Sequence, residues 1–109
     1  MAGTVVKLTS FAGTATLVRS GRMIIKNMKQ VNGDVATAYL QIFDAAAAAS
    51  VTVGTTIPTW VMVAGAAGGS DDFVGELVFD NGIVVAGTTS ATGATGAGAS
   101  SQHFFAVIE

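Results

Sequence analysis

The sequence has no cysteine, one proline and one histidine in 109 residues, and it carries few charges. The absence of cysteine excludes a disulfide framework, a thiolate metal site and a cysteine nucleophile. Charged residues make up 11% of the chain, against about 25% in an ordinary soluble domain. The net charge of −2 and the lack of aromatic residues among the few cations argue against nucleic acid as a partner.

Long apolar runs are also absent, although half of the residues are apolar and the mean hydropathy is +0.61. A membrane-spanning helix needs about 20 consecutive apolar residues, and the longest stretches here, such as residues 60–64, end at Thr or Gly. The first residues lack the basic and apolar blocks of a signal peptide. We therefore expect no membrane partner, and we expect assembly to hide part of the apolar surface. A surface of uncharged Ala and Thr is the alternative.

The charges are segregated along the chain. Every basic residue lies within the first 29 positions, and every acidic residue follows them. Pairing between early and late strands of one fold, head-to-tail contact between copies, and chance are three explanations. The basic residues are candidates for contact with an acidic partner surface; they are Lys7, Arg19, Arg22, Lys26 and Lys29.

Eight short segments are rich in Val, Ile, Thr, Phe and Tyr, and turn residues separate them. This pattern predicts an all-β fold, an antiparallel β-sandwich or jelly roll of about eight strands forming one domain over residues 1–109. Asn32-Gly33 and Asn81-Gly82 predict type I′ hairpins. The predicted strands are Val5–Thr9, Thr14–Arg19, Met23–Lys29, Thr37–Phe43, Thr59–Ala64, Phe73–Phe79, Ile83–Ala86 and His103–Ile108.

Several predicted strands are apolar on both faces. In residues 37–43, for example, Ala38, Leu40 and Ile42 share one face, and the other face also carries aromatic side chains. Such strands are expected to be covered on both sides. We expect the second sheet to cover one side and a neighbouring copy to cover the other.

Three segments do not fit a strand. Asp44 is expected to cap a short helical turn in the alanine run 45–49. Residues 1–12 are candidates for an extended N-terminal arm. Residues 87–101 contain only Gly, Ala, Thr and Ser, which predicts a long loop that can lie along a neighbouring subunit.

The sequence offers few residues for chemistry. His103 is the single side chain that ordinarily titrates near neutral pH. Asp71 and Asp72 precede two further carboxylates, but their spacing is not that of a calcium loop, and we expect a solvated strand edge. The glycine-rich residues 65–69 lack the Lys-Ser/Thr ending of a phosphate loop. We therefore predict no enzyme activity, no catalytic residue, no metal and no cofactor.

Three aromatic residues are candidate anchors for a protein partner: Trp60, Phe104 and Phe105. Large aromatic side chains carry much of the binding free energy at protein interfaces. Trp60 and Tyr39 would alternatively form a platform for a sugar ring.

Three stretches, Ser20–Asn27, Ala36–Asp44 and Asp80–Thr89, resemble in their order the small β-sandwich structural proteins of tailed-bacteriophage virions. The resemblance implies a capsid decoration (cement) protein on the capsid surface, made in the host cytoplasm. Its expected partner is the major capsid protein or another virion protein. A homo-oligomer, with a trimer favoured, is expected as well. The alternative is a receptor- or carbohydrate-binding module of a phage fibre or spike.

Overall fold

A computed structural model of the chain describes residues 3–97 and 102–109. All eight predicted strands are present, and the all-β prediction is confirmed. In the described part of the chain, no helix has the length and apolar composition needed to span a bilayer. The strands are β1 Thr4–Phe11, β2 Thr16–Ser20, β3 Met23–Asn32, β4 Ala38–Asp44, β5 Trp60–Ala64, β6 Ser70–Phe79, β7 Gly82–Thr88 and β8 Gln102–Ile108.

The strands form two antiparallel sheets of four. Sheet A has the order β1-β8-β3-β6, and sheet B has the order β2-β7-β4-β5. Strands β1 and β8, β2 and β7, β3 and β6, and β4 and β5 are hydrogen-bonded neighbours. The chain is therefore one long antiparallel ribbon wrapped into a two-layered jelly roll.

This topology overturns both predicted hairpins. Strands β3 and β4, and likewise β6 and β7, lie in different sheets, so Asn32-Gly33 and Asn81-Gly82 connect sheets rather than paired strands. Gly82 has φ +153°, and a Cβ there would lie within 2.7 Å of the carbonyl oxygens of Arg19 and Ala45. The Asn-Gly pattern was therefore correct about a tight reversal. It contained no information about which sheet the next strand joins.

The main core lies between the two sheets. Ala38, Leu40 and Ile42 are fully buried there, as alternation predicted. On β8, Phe104, Ala106 and Ile108 point inward in the same way. The largest other side chains of this core are Phe11, Met23, Ile25, Met28, Met62, Phe79, Ile83 and Val85.

A second apolar cluster covers the centre of the outer face of sheet B. Phe43, Val84 and Ala86 point away from the main core, yet they are buried. Val51, from the loop 45–59, packs on them. The loop 89–97 closes over the same face, and a Cβ on Gly54 would lie 2.6 Å from that of Ala94 in this loop. On β4 and β7, therefore, the chain's own loops rather than a neighbouring copy cover the outer apolar side chains, and the homo-oligomer stays a prediction.

The remaining expectations about loops also change. From Thr4 to Phe11, the proposed N-terminal arm is strand β1, which pairs with β8. In the predicted loop 87–101, Thr88 bridges Gly96 and the loop folds back on its own sheet; residues 98–101 lie outside the described residues. The alanine run contains only a short 3₁₀ turn, Ala48–Ser50, with no side-chain cap. Asp44 caps a different turn, described below.

Candidate functional site

Among residues 3–97 and 102–109, no loop covers the outer face of sheet A as loops cover the centre of sheet B, and the strand register orders its side chains into two rows across the sheet. We call these eight residues the sheet A face. One row, called the apolar row for its three valines, consists of Val5, Val107, the polar Asn27 and Val74, taken from β1 to β6; the charged row consists of Lys7, Phe105, Lys29 and Asp72.

A shallow groove of about 390 Å³ runs over these rows. At its two margins, Val5 is 66% exposed and Val74 is 82% exposed. Phe105 and Val107 lie between them and are half-buried. Covering apolar side chains of this kind is worth about 25 cal/mol per Å², so this face is suited to binding another protein surface.

Ion pairs within the chain account for most of the charge segregation. Lys29 lies 3.6 Å from Asp72, and Arg22 lies 3.3 Å from Asp80. Lys26 pairs with two carboxylates, described next. These contacts exist because β3, near the start of the chain, lies between β6 and β8. Within residues 3–97 and 102–109, ion pairs engage three of the five cations, and Lys7 and Arg19 are left.

Lys26 lies at an irregularity of β3, where the register shifts between its neighbours. Its Nζ contacts the carboxylates of Glu76 and Glu109, the latter at 3.2 Å. Hydrogen bonds to these two carboxylates raise the pKa of Lys26 above its ordinary value. The raised pKa means that this stabilisation is present at neutral pH and is lost only as the pH rises through that pKa.

The residues considered for chemistry have structural contacts instead. The Ser10 N–H donates to His103 Nδ1 at 3.3 Å, where the register of β1 shifts. Asp71 accepts the Val63 N–H at 3.0 Å and so blocks part of the free edge of β5. The described residues include no group of three or more His, Asp or Glu side chains that could hold a metal ion.

The three aromatic candidates have different environments. Phe104 is fully buried in the core, so its assignment as an interface anchor is wrong; its neighbour Phe105 points to the sheet A face. Trp60 is 37% exposed at the edge of sheet B. Its ring packs edge-to-face on Phe73, with centroids 5.1 Å apart.

Trp60 and Tyr39 do not form a common platform. Trp60 pairs with the core residue Ile42, whereas Tyr39 pairs with Val63 on the outer side of the sheet. Because paired residues share a face, the two rings lie on opposite sides of sheet B.

Strand β5 carries the second exposed apolar surface. Trp60, Val61 and Val63 are 37%, 36% and 45% exposed, with Trp60 on the inner side of the strand and the two valines on its outer side, and we call these three residues the β5 patch. Its strand is an outer strand of sheet B. The patch is therefore accessible from the side of the sandwich.

Sequence reasoning missed a set of buried amide side chains. Asn32 donates to the carbonyl oxygens of Ala36 at 2.8 Å and Gly65 at 2.9 Å, and its Oδ1 accepts from Gln102 Nε2 at 2.8 Å. Gln30 Nε2 in turn donates to Gln102 Oε1 at 3.3 Å. These bonds fasten the loops at one end of the sandwich. A polar residue in a strand gives no sequence signal that it faces inward.

Comparisons of the chain with protein-family models, with curated proteins and with solved structures found no match. Inference about function therefore depends on exposed apolar side chains, and the sheet A face and the β5 patch contain most of those that lie on strands. Both are built on strands of a well-packed sandwich, so their side chains are held in defined positions.

Proposed function

We propose that the chain is a non-enzymatic virion structural protein, a capsid decoration (cement) protein that binds the major capsid protein of a phage head. The observation that carries the proposal is the selective exposure of apolar side chains. Loops cover the central strands β4 and β7 on the outer face of sheet B, yet none of the described residues covers the sheet A face or the β5 patch. The resemblance to phage virion proteins supports the same function.

A capsid decoration protein acts by binding the capsid lattice, and it needs no catalytic residues to do so. A capsid repeats one binding site many times, so a small rigid domain can stabilise the whole shell through many identical contacts. A standard interface buries about 800 Å² per partner, a substantial part of the 5201 Å² accessible surface here. The low charge keeps the desolvation cost of such burial small.

We assign the capsid contact to the β5 patch. Trp60 is the one tryptophan of the chain, and exposed Trp is the residue type most enriched at binding hot spots. Asp71 occupies the Val63 N–H, so the contact uses side chains rather than an added strand. Arg22, Lys26 and Lys29 already pair with carboxylates of this chain. The burial of apolar side chains therefore contributes more binding free energy to this contact than the basic residues do.

The proposal locates the protein on the capsid surface after synthesis in the host cytoplasm. The alternative, a carbohydrate-binding module of a fibre or spike, would gain from Trp60 and Tyr39 on one surface. Their positions on opposite sides of sheet B do not favour it.

Sedimentation of purified, undecorated capsids with the purified chain tests the proposal. We expect the chain to co-sediment in proportion to the capsid protein. Trp60→Ala should weaken binding by about tenfold or more, since a hot-spot Trp contributes at least about 2 kcal/mol. His103→Ala, which changes sheet A away from the β5 patch, is the matched control and should bind like the unchanged chain. Absence of binding, or a few copies at one vertex, would contradict a decoration role.

A further inference from the structure

We infer that the sheet A face binds a second copy of this chain, with the two faces stacked around a twofold axis that runs parallel to the strands between β8 and β3. This inference is independent of the proposed capsid function. It follows from the order of side chains in the two rows of the face.

The charged row is complementary to itself under this rotation. The axis exchanges the two edges of the sheet, so β1 of one copy faces β6 of the other, and β8 faces β3. Lys7 then lies opposite Asp72 of the second copy, and Phe105 lies opposite its Lys29. Each contact occurs twice, as in any isologous dimer.

The apolar row matches in the same way. Val5 lies opposite Val74 of the second copy, and Val107 lies opposite its Asn27. On the other side of the charged row, His103 faces Val31, so no like charges oppose each other. Lys7, a cation without an ion pair in the described residues, gains a carboxylate partner.

Other twofold axes in the plane of the face lack this match. An axis perpendicular to the strands along the charged row would oppose Lys7 to Lys7 and Asp72 to Asp72. An axis between the rows would place Lys7 on Val5 and Asp72 on Val74, which buries charges against apolar groups at a large desolvation cost. Of these three axes, only the one parallel to the strands pairs Lys7 with Asp72 and Val5 with Val74.

The geometry of stacked sheets permits the contact. Packed sheets lie about 10 Å apart with their strands within about 30° of each other. Phe105 lies in the centre of the face, where hot-spot residues concentrate, and Lys29 of the second copy would lie over its ring as a cation–π contact. Sheet B cannot pack in this way, because loops 45–59 and 89–97 cover it.

Charge reversal tests the arrangement. Sedimentation equilibrium should show a dimer for the unchanged chain. Lys7→Asp and Asp72→Lys should each raise the dimer dissociation constant about tenfold or more, since opposed like charges are costly at an interface. The double variant should recover most of that loss. Arg19→Asp, at the other cation without an ion pair, is the matched control and should leave the dimer unchanged.

A covalent test uses the absence of cysteine in the chain. Within one copy, residues 7 and 72 are three strand spacings apart, roughly 14 Å, whereas opposed residues of two stacked sheets lie about 10 Å apart, beyond the reach of a disulfide. A short bifunctional thiol reagent that spans the smaller separation should therefore cross-link the double variant Lys7→Cys/Asp72→Cys into a covalent dimer. It should not cross-link Arg19→Cys/Asp72→Cys.

Val74→Lys should leave the fold intact, because the Val74 side chain is 82% exposed. The same variant should weaken the dimer. A monomer at all concentrations, a trimer, or a double charge reversal that restores nothing would overturn the inference. The capsid test is separate. Dimers that do not bind capsids would contradict the proposed function and leave this inference intact. Monomers that bind capsids would contradict this inference and leave the proposed function intact.

Discussion

At the residue scale, the carboxylate of Asp44 joins the end of β4 to the turn between β6 and β7. Its Oδ2 accepts the Asp80 N–H at 2.9 Å, and its Oδ1 accepts the N–H groups of Asn81 at 2.8 Å and Gly82 at 3.3 Å. Burial works against ionisation, but these three N–H donors outweigh it and hold the pKa of Asp44 below its ordinary value. The carboxylate predicted to cap a helical turn thus caps a connection between the sheets.

Asp44→Asn should destabilise the fold at pH 7 by about 1–3 kcal/mol, because the new NH₂ group meets backbone donors where an oxygen accepted them. A lowered folded-state pKa contributes stability above the unfolded-state pKa, near 3.8, and that stability is lost as the pH falls through the folded-state value. The difference between the variant and the unchanged chain should therefore shrink below pH 3.8.

Denaturant unfolding at neutral and acidic pH measures the difference in unfolding free energy between Asp44→Asn and the unchanged chain. Asp80→Asn is the control, since its exposed pair with Arg22 is worth less than about 1 kcal/mol. A penalty for Asp44→Asn that stays constant at acidic pH would contradict the charge-based explanation.

Phe104 and Phe105 are adjacent residues with opposite roles. Phe104→Ala should cost about 3–5 kcal/mol of unfolding free energy, since it empties a fully buried site in the core. Phe105→Ala, on the half-buried outer face, should cost about 1 kcal/mol. Urea unfolding of dilute protein compares them, and equal losses would show that β8 does not have the inward-outward alternation described.

At the scale of elements, Gln41 anchors the loop that covers sheet B. Its Nε2 donates to Thr88 Oγ1 and to the Gly93 carbonyl oxygen, both at 2.9 Å. The loop adds its own bonds, from the Thr89 N–H to Thr95 and from the Ala97 N–H to Gly87, both at 3.0 Å. One buried side chain thus holds a segment that offers no large apolar group of its own.

Gln41→Ala should release this loop while the sandwich remains folded. We expect faster amide exchange at Thr89 and Ala97, with exchange in the centre of β8 unchanged, because the lost bonds belong to the loop alone. Hydrogen exchange followed by NMR measures this. Gln30→Ala is the matched control, because Gln30 is equally buried but lies on β3 of sheet A. This variant should not change amide exchange in the loop. Unchanged exchange at Thr89 in Gln41→Ala would disprove the anchoring role.

The irregularity at Lys26 shows why a strand's faces cannot always be read by counting. Strict alternation from Ile25 would point Lys29 and Val31 into the core. The register shift beside Lys26 reverses the alternation, so Met28 and Gln30 are buried instead. An extra residue in a strand has no reliable signature in a single sequence, because the partner strands stabilise it.

At the scale of the whole molecule, the fold depends on pairing between distant segments. Of the seven connections between its eight strands, six cross from one sheet to the other, and β4 and β5 are the one pair of consecutive strands that share a sheet. Because few contacts are local, refolding should take on the order of milliseconds to seconds. Stopped-flow fluorescence of Trp60 measures this rate, and microsecond refolding would contradict it. Thermal unfolding should show one transition, since both sheets share one core.

The sequence by itself determined the strands and much of the core. Val, Ile, Thr and aromatic residues favour extended backbone locally, and the alternation of Ala38, Leu40 and Ile42 needs no distant partner to be recognised. The same local signals marked the tight reversal at Asn81-Gly82. The composition also showed the low charge, which keeps the desolvation cost of contacts with other molecules small.

Only the tertiary structure decided which sheet each strand joins, which face the chain covers itself, and which cations remain for contacts. Lys29 and Asp72 are 43 positions apart in the sequence, and their pairing exists only because β3 and β6 are neighbours. Phe43 and Phe105 both lie on outer faces, yet loops cover one and leave the other accessible. These outcomes depend on contacts between distant segments, whose free energies no local pattern of residues encodes.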